Sequence, residues 1–243
     1  MADIITAKVY RYDPSVDAAP RYETYEVEWQ EDGSGIMSAL QVLTIINETQ
    51  EMLGYDSCCH SGLCGRCAML VDGRPTVACL KSITPGEHTF EPLPGFPVMR
   101  DLIVDKDAAY ERMAGVDATI HTTEPITGFK PIEHELYWNT LARLNMCREC
   151  MCCEAAIKQA GGVADPKFVG VPGMMQIAQR YFDGIDESDR LRQAVDCGLF
   201  ADVPWMEATA VCSGMINIAG IVDQMKADAE AAGLKPQSDL KFF

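Results

Sequence analysis

Cys59, Cys64 and Cys67 stand at C-x4-C-x2-C spacing, and Cys79 follows after eleven intervening residues. Thiolates are soft ligands, and four of them suit iron held with inorganic sulfide. C-x4-C-x2-C with one later cysteine is the plant-type [2Fe–2S] pattern. Gly62 and Gly65 lie inside this loop, where the backbone must wrap a cluster closely and aim N–H groups at its sulfurs. Structural zinc sites favour C-x2-C pairs instead, which is the competing reading of the same thiols.

A second group reads Met146-Cys147-Arg148-Glu149-Cys150-Met151-Cys152-Cys153, with C-x2-C-x2-C at 147, 150 and 153. The bacterial ferredoxin run continues C-x3-C-P. Here Ile157 and Lys158 occupy those two places, so three ligands serve one cubane and a fourth must come from afar. Cys197 and Cys212 are the cysteines downstream. Cys212 is the better choice, because Gly214 to Ile218 open a helix just after it, whereas Cys197 ends a helical period and reads as a small buried hydrophobe. The expected sites are therefore a [2Fe–2S] cluster on Cys59, Cys64, Cys67 and Cys79, and a [4Fe–4S] cluster on Cys147, Cys150, Cys153 and Cys212. Cys58 and Cys152 adjoin ligands and read as inert neighbours.

The elements that must position these loops follow from periodicity. Residues 4–12 and 22–29 alternate as strands, and 68–71 with 76–80 form a hairpin about Asp72-Gly73 that returns Cys79 to the loop. Asp32 to Gly35 open a helix carrying Ile36, Leu40, Leu43 and Ile46 on one face, with Asn47 on its flank. A last strand lies near 88–91. This is a small β-grasp pattern, like a plant ferredoxin. Pro92 to Pro97 punctuate a linker, Val98 to Met113 resume a helical period, and residues 135–146, 151–160, 173–182, 186–197, 205–210 and 215–232 read as helices. The expected fold class is α+β: a β-grasp [2Fe–2S] domain over 1–97, then an all-helical, bacterial-ferredoxin-like [4Fe–4S] domain over 98–243.

Composition narrows the function. The chain has 243 residues, 11 cysteines and a formal net charge of −16. That charge argues against nucleic acid and anionic lipid as direct partners. No apolar run approaches a membrane span, and Met1 to Ile4 carry no basic or twin-arginine leader, so reduced thiols in the cytoplasm are expected. There is no G-x-G-x-x-G and no nucleophile–base set, so substrate chemistry belongs to another subunit.

With these motifs in hand, the chain resembles the iron–sulfur subunit of the succinate dehydrogenase/fumarate reductase family over nearly its whole length. The matching blocks are Ser57 to Cys79, Phe96 to Asp105, Cys147 to Cys153, Asp165 to Gly170 with Gln179-Arg180-Tyr181, and Cys212 to Gly220. The resemblance implies an electron-transfer subunit for an FAD-bearing flavoprotein, with a further electron donor or acceptor protein on its far side. Membrane association, where present, would be peripheral, on the inner face through partner subunits. It also exposes departures. The family's three [3Fe–4S] ligands fall at Ile157, Asp202 and Ala208, the family tryptophan after the first is replaced within Lys158-Gln159-Ala160, and the Cys-Pro at the remote ligand is Cys212-Ser213. Two clusters are expected rather than three, and the usual quinone route loses its last stepping stone.

A free-standing two-cluster carrier and a zinc-stapled helical binding module are the readings from other classes. His60 could tune the first cluster or simply face solvent, and Arg66 could raise its potential or be a plain surface arginine. His88, His121 and His134 are expected to be structural or exposed. Met174 and Met175 are expected in the core.

Overall fold

The computed structural model describes residues 3–30, 36–125, 127, 137–162 and 165–234. Its first half is built on a five-stranded sheet in the order β2-β1-β7-β4-β5. Strand β1 (Ile4–Arg11) lies antiparallel to β2 (Arg21–Glu28) and parallel to β7 (Gly86–Glu91), with Ile5 opposite Val27 and Ala7 opposite Tyr25. Ile5, Ala7, Val9 and Arg11 are buried while the residues between them are not, the period-two burial of a sheet with one covered face. The hairpin forms as expected about Asp72-Gly73, between β4 (Ala68–Val71) and β5 (Arg74–Val77). Its second strand ends at Val77, so Cys79 sits in the turn beyond, tied back where Ala78 N–H donates to the Cys67 carbonyl at 2.9 Å.

Helix α1 (Ala39–Thr49) covers the sheet. It starts at Ser38, in the short strand β3 (Met37–Ser38), which pairs with β6 (Ser82–Ile83). A capping box fixes that start: the Ser38 hydroxyl accepts from Gln41 N–H, and the Gln41 side chain accepts from Ser38 N–H. The expected opening at 32–35 lies outside the described residues. Ile36 precedes the helix and is half exposed, and Val42 joins Leu40, Leu43 and Ile46 on the buried face. Asn47 accepts the Leu53 N–H at 2.9 Å, closing the exit turn.

Residues 98–104 are not helical. They form a ribbon of β8 (Val98–Arg100) and β9 (Ile103–Val104), and helix α2 begins only at Asp107 and runs to Ala114. The apolar spacing there is compatible with a helix, but tertiary bonds override it. Asp101 adopts φ +47° and is 3% exposed. Its carboxylate accepts from Arg11 Nε at 3.2 Å, Tyr12 N–H at 2.9 Å and Gly54 N–H at 2.8 Å. Arg11 is equally buried and also meets Glu23, Tyr25 and the Met52 carbonyl. Burying this charge is tolerable because each polar atom has a partner.

The second half is helical among the described residues. A π-helical turn, Tyr137–Leu141, runs into α3 (Ala142–Leu144), followed by α4 (Cys152–Gln159), α5 (Val171–Tyr181), α6 (Arg190–Asp196), α7 (Trp205–Ala210) and α8 (Ile218–Ala231). The start of the expected 135–146 helix, like His134, lies outside the described residues. Helix α5 is central, and Met174 and Met175 are buried in it as expected.

Two apolar cores result. The first lies under the sheet and α1 and takes in Leu102, Val104, Ala109 and Met113, and also Met151, Cys152 and Ala155 from the start of α4. The second gathers α5 to α8 with Ile157 from α4. No helix among the described residues is long and apolar enough to cross a membrane.

Candidate cluster sites

Around the first cysteine group the backbone N–H groups turn toward sulfur. Cys59 Sγ accepts from Ser61 at 3.5 Å, Leu63 at 3.2 Å and Cys64 at 3.3 Å; Cys79 Sγ accepts from Gly62 at 3.2 Å, and Cys67 Sγ from Cys79 at 3.5 Å. The loop reaches this shape through left-handed residues, His60 (φ +55°), Gly62 (+75°) and Gly65 (+67°). Gly62 has no room for a side chain: a Cβ there would lie 2.6 Å from Leu80. The N–H donors, Ser61 first and then Cys64 and Leu63, hold the Cys59 thiol down at about 6, whereas burial pushes Cys67 up to about 12. A convergent set of N–H donors around four thiols fits a [2Fe–2S] cluster, whose charge-rich sulfurs are what such donors stabilise.

Cys147, Cys150, Cys153 and Cys212 line one internal hollow, closed by Pro172 and Met175 of α5 and by Ile216 and Ile218. Cys152 lines it too, from the first residue of α4. The chain enters that helix through Glu149 (φ +50°) and Met151 (φ +68°), two left-handed turns that bend the run around the hollow. Burial pushes Cys147 up to about 11 and Cys153 well above its ordinary value. Cys150 goes the other way, to about 6, because the Cys152 thiol and N–H, the Ser213 hydroxyl and Lys106 all favour its thiolate. Arg148 also lines the hollow, and its Nε–H is buried with no acceptor among the described residues. An orphan donor beside four part-buried thiols fits a site whose acceptor is an inorganic sulfide. Among the described residues no three Cys, His, Asp or Glu side chains stand at single-ion spacing.

The two cysteine loops touch. A Cβ on Gly65 would lie 2.7 Å from the Arg148 carbonyl oxygen and 2.8 Å from Cys150 Cβ. Of the other residues singled out, Cys58 is exposed, and Cys197 is half-buried at the end of α6, packed on the second core and outside the hollow. Arg66 is exposed and pairs with Asp56 at 3.1 Å rather than with a sulfur. His60 is exposed and lines a groove with Cys79 and α1. His88 pairs with Asp72 and His121 with Asp117. Ile157 and Ala208 are buried in the second core, on packed helices α4 and α7, and Asp202 is exposed. Sequence reasoning missed Ser213 and Arg148 as a pair. The replaced proline at 213 was the available signal, but their meeting depends on tertiary structure.

The family described as a 2Fe-2S iron-sulfur cluster binding domain matches residues 6–111. The fumarate reductase iron-sulfur subunit of Mycobacterium tuberculosis is 31% identical over 256 residues, covering 97% of this chain and 96% of that one. The Wolinella succinogenes fumarate reductase iron-sulfur subunit is 32% identical, covering 77% of this chain and 79% of its own. A subunit of the fumarate reductase (CoM/CoB) of Methanothermobacter marburgensis is 29% identical over 96% of this chain, which spans 46% of that longer protein. In structure, a chain of the Mycobacterium smegmatis Sdh1 complex superposes with a TM-score of 0.81 over 98% of this chain and 100% of its own, at 23% identity. The chain belongs to the family of fumarate reductase and succinate dehydrogenase iron–sulfur subunits, which carry electrons through a 2Fe-2S domain.

Proposed function

We propose that the chain is a two-cluster relay that exchanges electrons with an FAD-bearing flavoprotein subunit, where the substrate chemistry takes place. Cys59, Cys64, Cys67 and Cys79 would hold a [2Fe–2S] cluster, and Cys147, Cys150, Cys153 and Cys212 a [4Fe–4S] cluster. The clusters supply one-electron redox chemistry; the protein supplies their spacing and potential. Residues 1–97 act as a β-grasp domain of plant-ferredoxin type and 98–243 as a helical domain of bacterial-ferredoxin type, in a cytoplasmic subunit that reaches any membrane through its partners. The names of the relatives point to a dicarboxylate of the fumarate/succinate class as the substrate of the flavoprotein.

The observation that carries this reading is the contact between the two loops, which puts Gly65 of the first against Arg148 and Cys150 of the second. Centres bridged by one van der Waals contact suit a relay. Ile157 and Ala208 are buried and apolar and Asp202 is exposed, so these positions offer no thiolate for a third centre, and the electron leaves from the second, toward a donor or acceptor protein. The test is an iron count with low-temperature EPR on the anaerobically purified chain. About six irons per chain and two signals are expected, with Cys64→Ser removing the first signal and Cys153→Ser the second. About two irons with bound zinc, or a third iron–sulfur signal, would refute it. Copurification with a flavoprotein separates a complex subunit from a free carrier.

A further inference from the structure

Cys150 is set apart from the other thiols of the second group by what surrounds its sulfur. The Ser213 hydroxyl lies 3.8 Å from Cys150 Sγ, and Arg148 Nη1 lies 3.3 Å from Ser213 Oγ. The arginine can only donate, so Ser213 Oγ is the acceptor of that bond and its own proton is free to point at the sulfur. Arg148 is held between two ligand positions, 147 and 150, and Ser213 follows a third, 212. The pair thus links the near loop to the remote ligand. Independently, Arg148 Nε–H is buried, without a partner among the described residues, and in the wall of the same hollow.

Adding an electron to a thiolate-bound cluster adds negative charge. Hydrogen bonds and cations near the sulfurs stabilise that charge more than they stabilise the oxidised form, and so raise the potential. In the family pattern the residue after the remote cysteine is a proline, which has neither a hydroxyl nor a backbone N–H to offer. This chain has the hydroxyl, aligned by a permanent cation.

We propose that Ser213, oriented by Arg148, is a positioning residue that raises the potential of the second cluster and makes it the resting place of the electron at the end of the relay. The need follows from positions 157, 202 and 208. A chain without a third centre must hold the electron at the second until the outgoing partner arrives. The inference rests on the two-cluster reading above.

The test is a redox titration of the full chain followed by EPR, with the first cluster as internal reference. In Ser213→Ala, at the ambient potential where half of the wild-type second cluster is reduced, the reduced-to-oxidised ratio should fall about tenfold, which is 59 mV for a one-electron couple. Ser213→Thr should restore it, and the first cluster should not move. Arg148→Met should lower the ratio at least as far, and Arg148→Lys should recover part of it. An unmoved second cluster in Ser213→Ala, equal shifts in both clusters, or failure of threonine to rescue would overturn the inference. So would loss of the second cluster's iron in Ser213→Ala, since the hydroxyl would then hold the site together rather than tune it. A wild-type chain with no second signal would instead overturn the two-cluster reading itself.

Discussion

Placing a methyl group at Gly65 and at Gly73 separates the cost of backbone conformation from the cost of collision between the two loops. Both glycines are left-handed, at φ +67° and +73°. An L-residue in that region loses about 1–2 kcal/mol. Around Gly73 nothing lies within 4 Å of the added Cβ, so Gly73→Ala should cost only that much. At Gly65 the Cβ would meet the Arg148 carbonyl at 2.7 Å, Cys150 Cβ at 2.8 Å and Cys150 Cα at 3.0 Å. Ordinary carbon contacts begin near ~3.5 Å, so the loops must part by about 0.5–1 Å, an overpacking cost of about 1–3 kcal/mol. Gly65→Ala should therefore lose about 2–5 kcal/mol in all. At about 2–4 °C per kcal/mol for a chain of this size, it should melt about 2–12 °C below Gly73→Ala. The assay is anaerobic thermal unfolding followed by circular dichroism and by the visible cluster absorption. Equal melting of the two variants would show that the loops do not bear on each other, and the relay argument would lose its central contact.

Other expectations follow from the same structure. Asp101→Ala leaves Arg11 Nε and two backbone N–H groups without their acceptor, while Glu23 still pairs with the guanidinium, and should cost about 3–5 kcal/mol by urea unfolding; a loss below about 1 kcal/mol would mean that these donors are solvated. In the iron-free protein, N–H donation holds the Cys59 thiol at about 6, so its alkylation should reach half its limiting rate near pH 6, read by peptide mass spectrometry. Cys67, pushed up to about 12 by burial, should stay unlabelled across the neutral range in the same sample. Leu80→Ala should loosen the loop at Gly62, whose α-carbon faces that side chain, and should speed loss of the first cluster under oxygen, seen as faster bleaching.

The local parts of this protein were readable from sequence, and the long-range parts were not. The hairpin around Asp72-Gly73 is a short-range signal, and its first strand stands where expected, while its second runs from Arg74 to Val77 rather than over 76–80. Residues 98–104 misled because their apolar period is silent about Asp101, whose carboxylate is captured by Arg11, ninety positions earlier. Cys152 illustrates the same limit. Its position beside a proposed ligand argued for an idle thiol, yet folding buries it in the first core while its N–H and S–H face Cys150. Its core neighbours from the sheet lie far off in sequence, so the spacing of the cysteine run carries no sign of them.

Because Met151, Cys152 and Ala155 fill the interior beneath the sheet, the second cysteine run is masonry for the first half of the molecule. A fragment ending at the proline-rich stretch would therefore be born with holes in its floor, however complete its own ring of thiols. Synthesis must then pass residue 155 before the interior beneath the sheet can close.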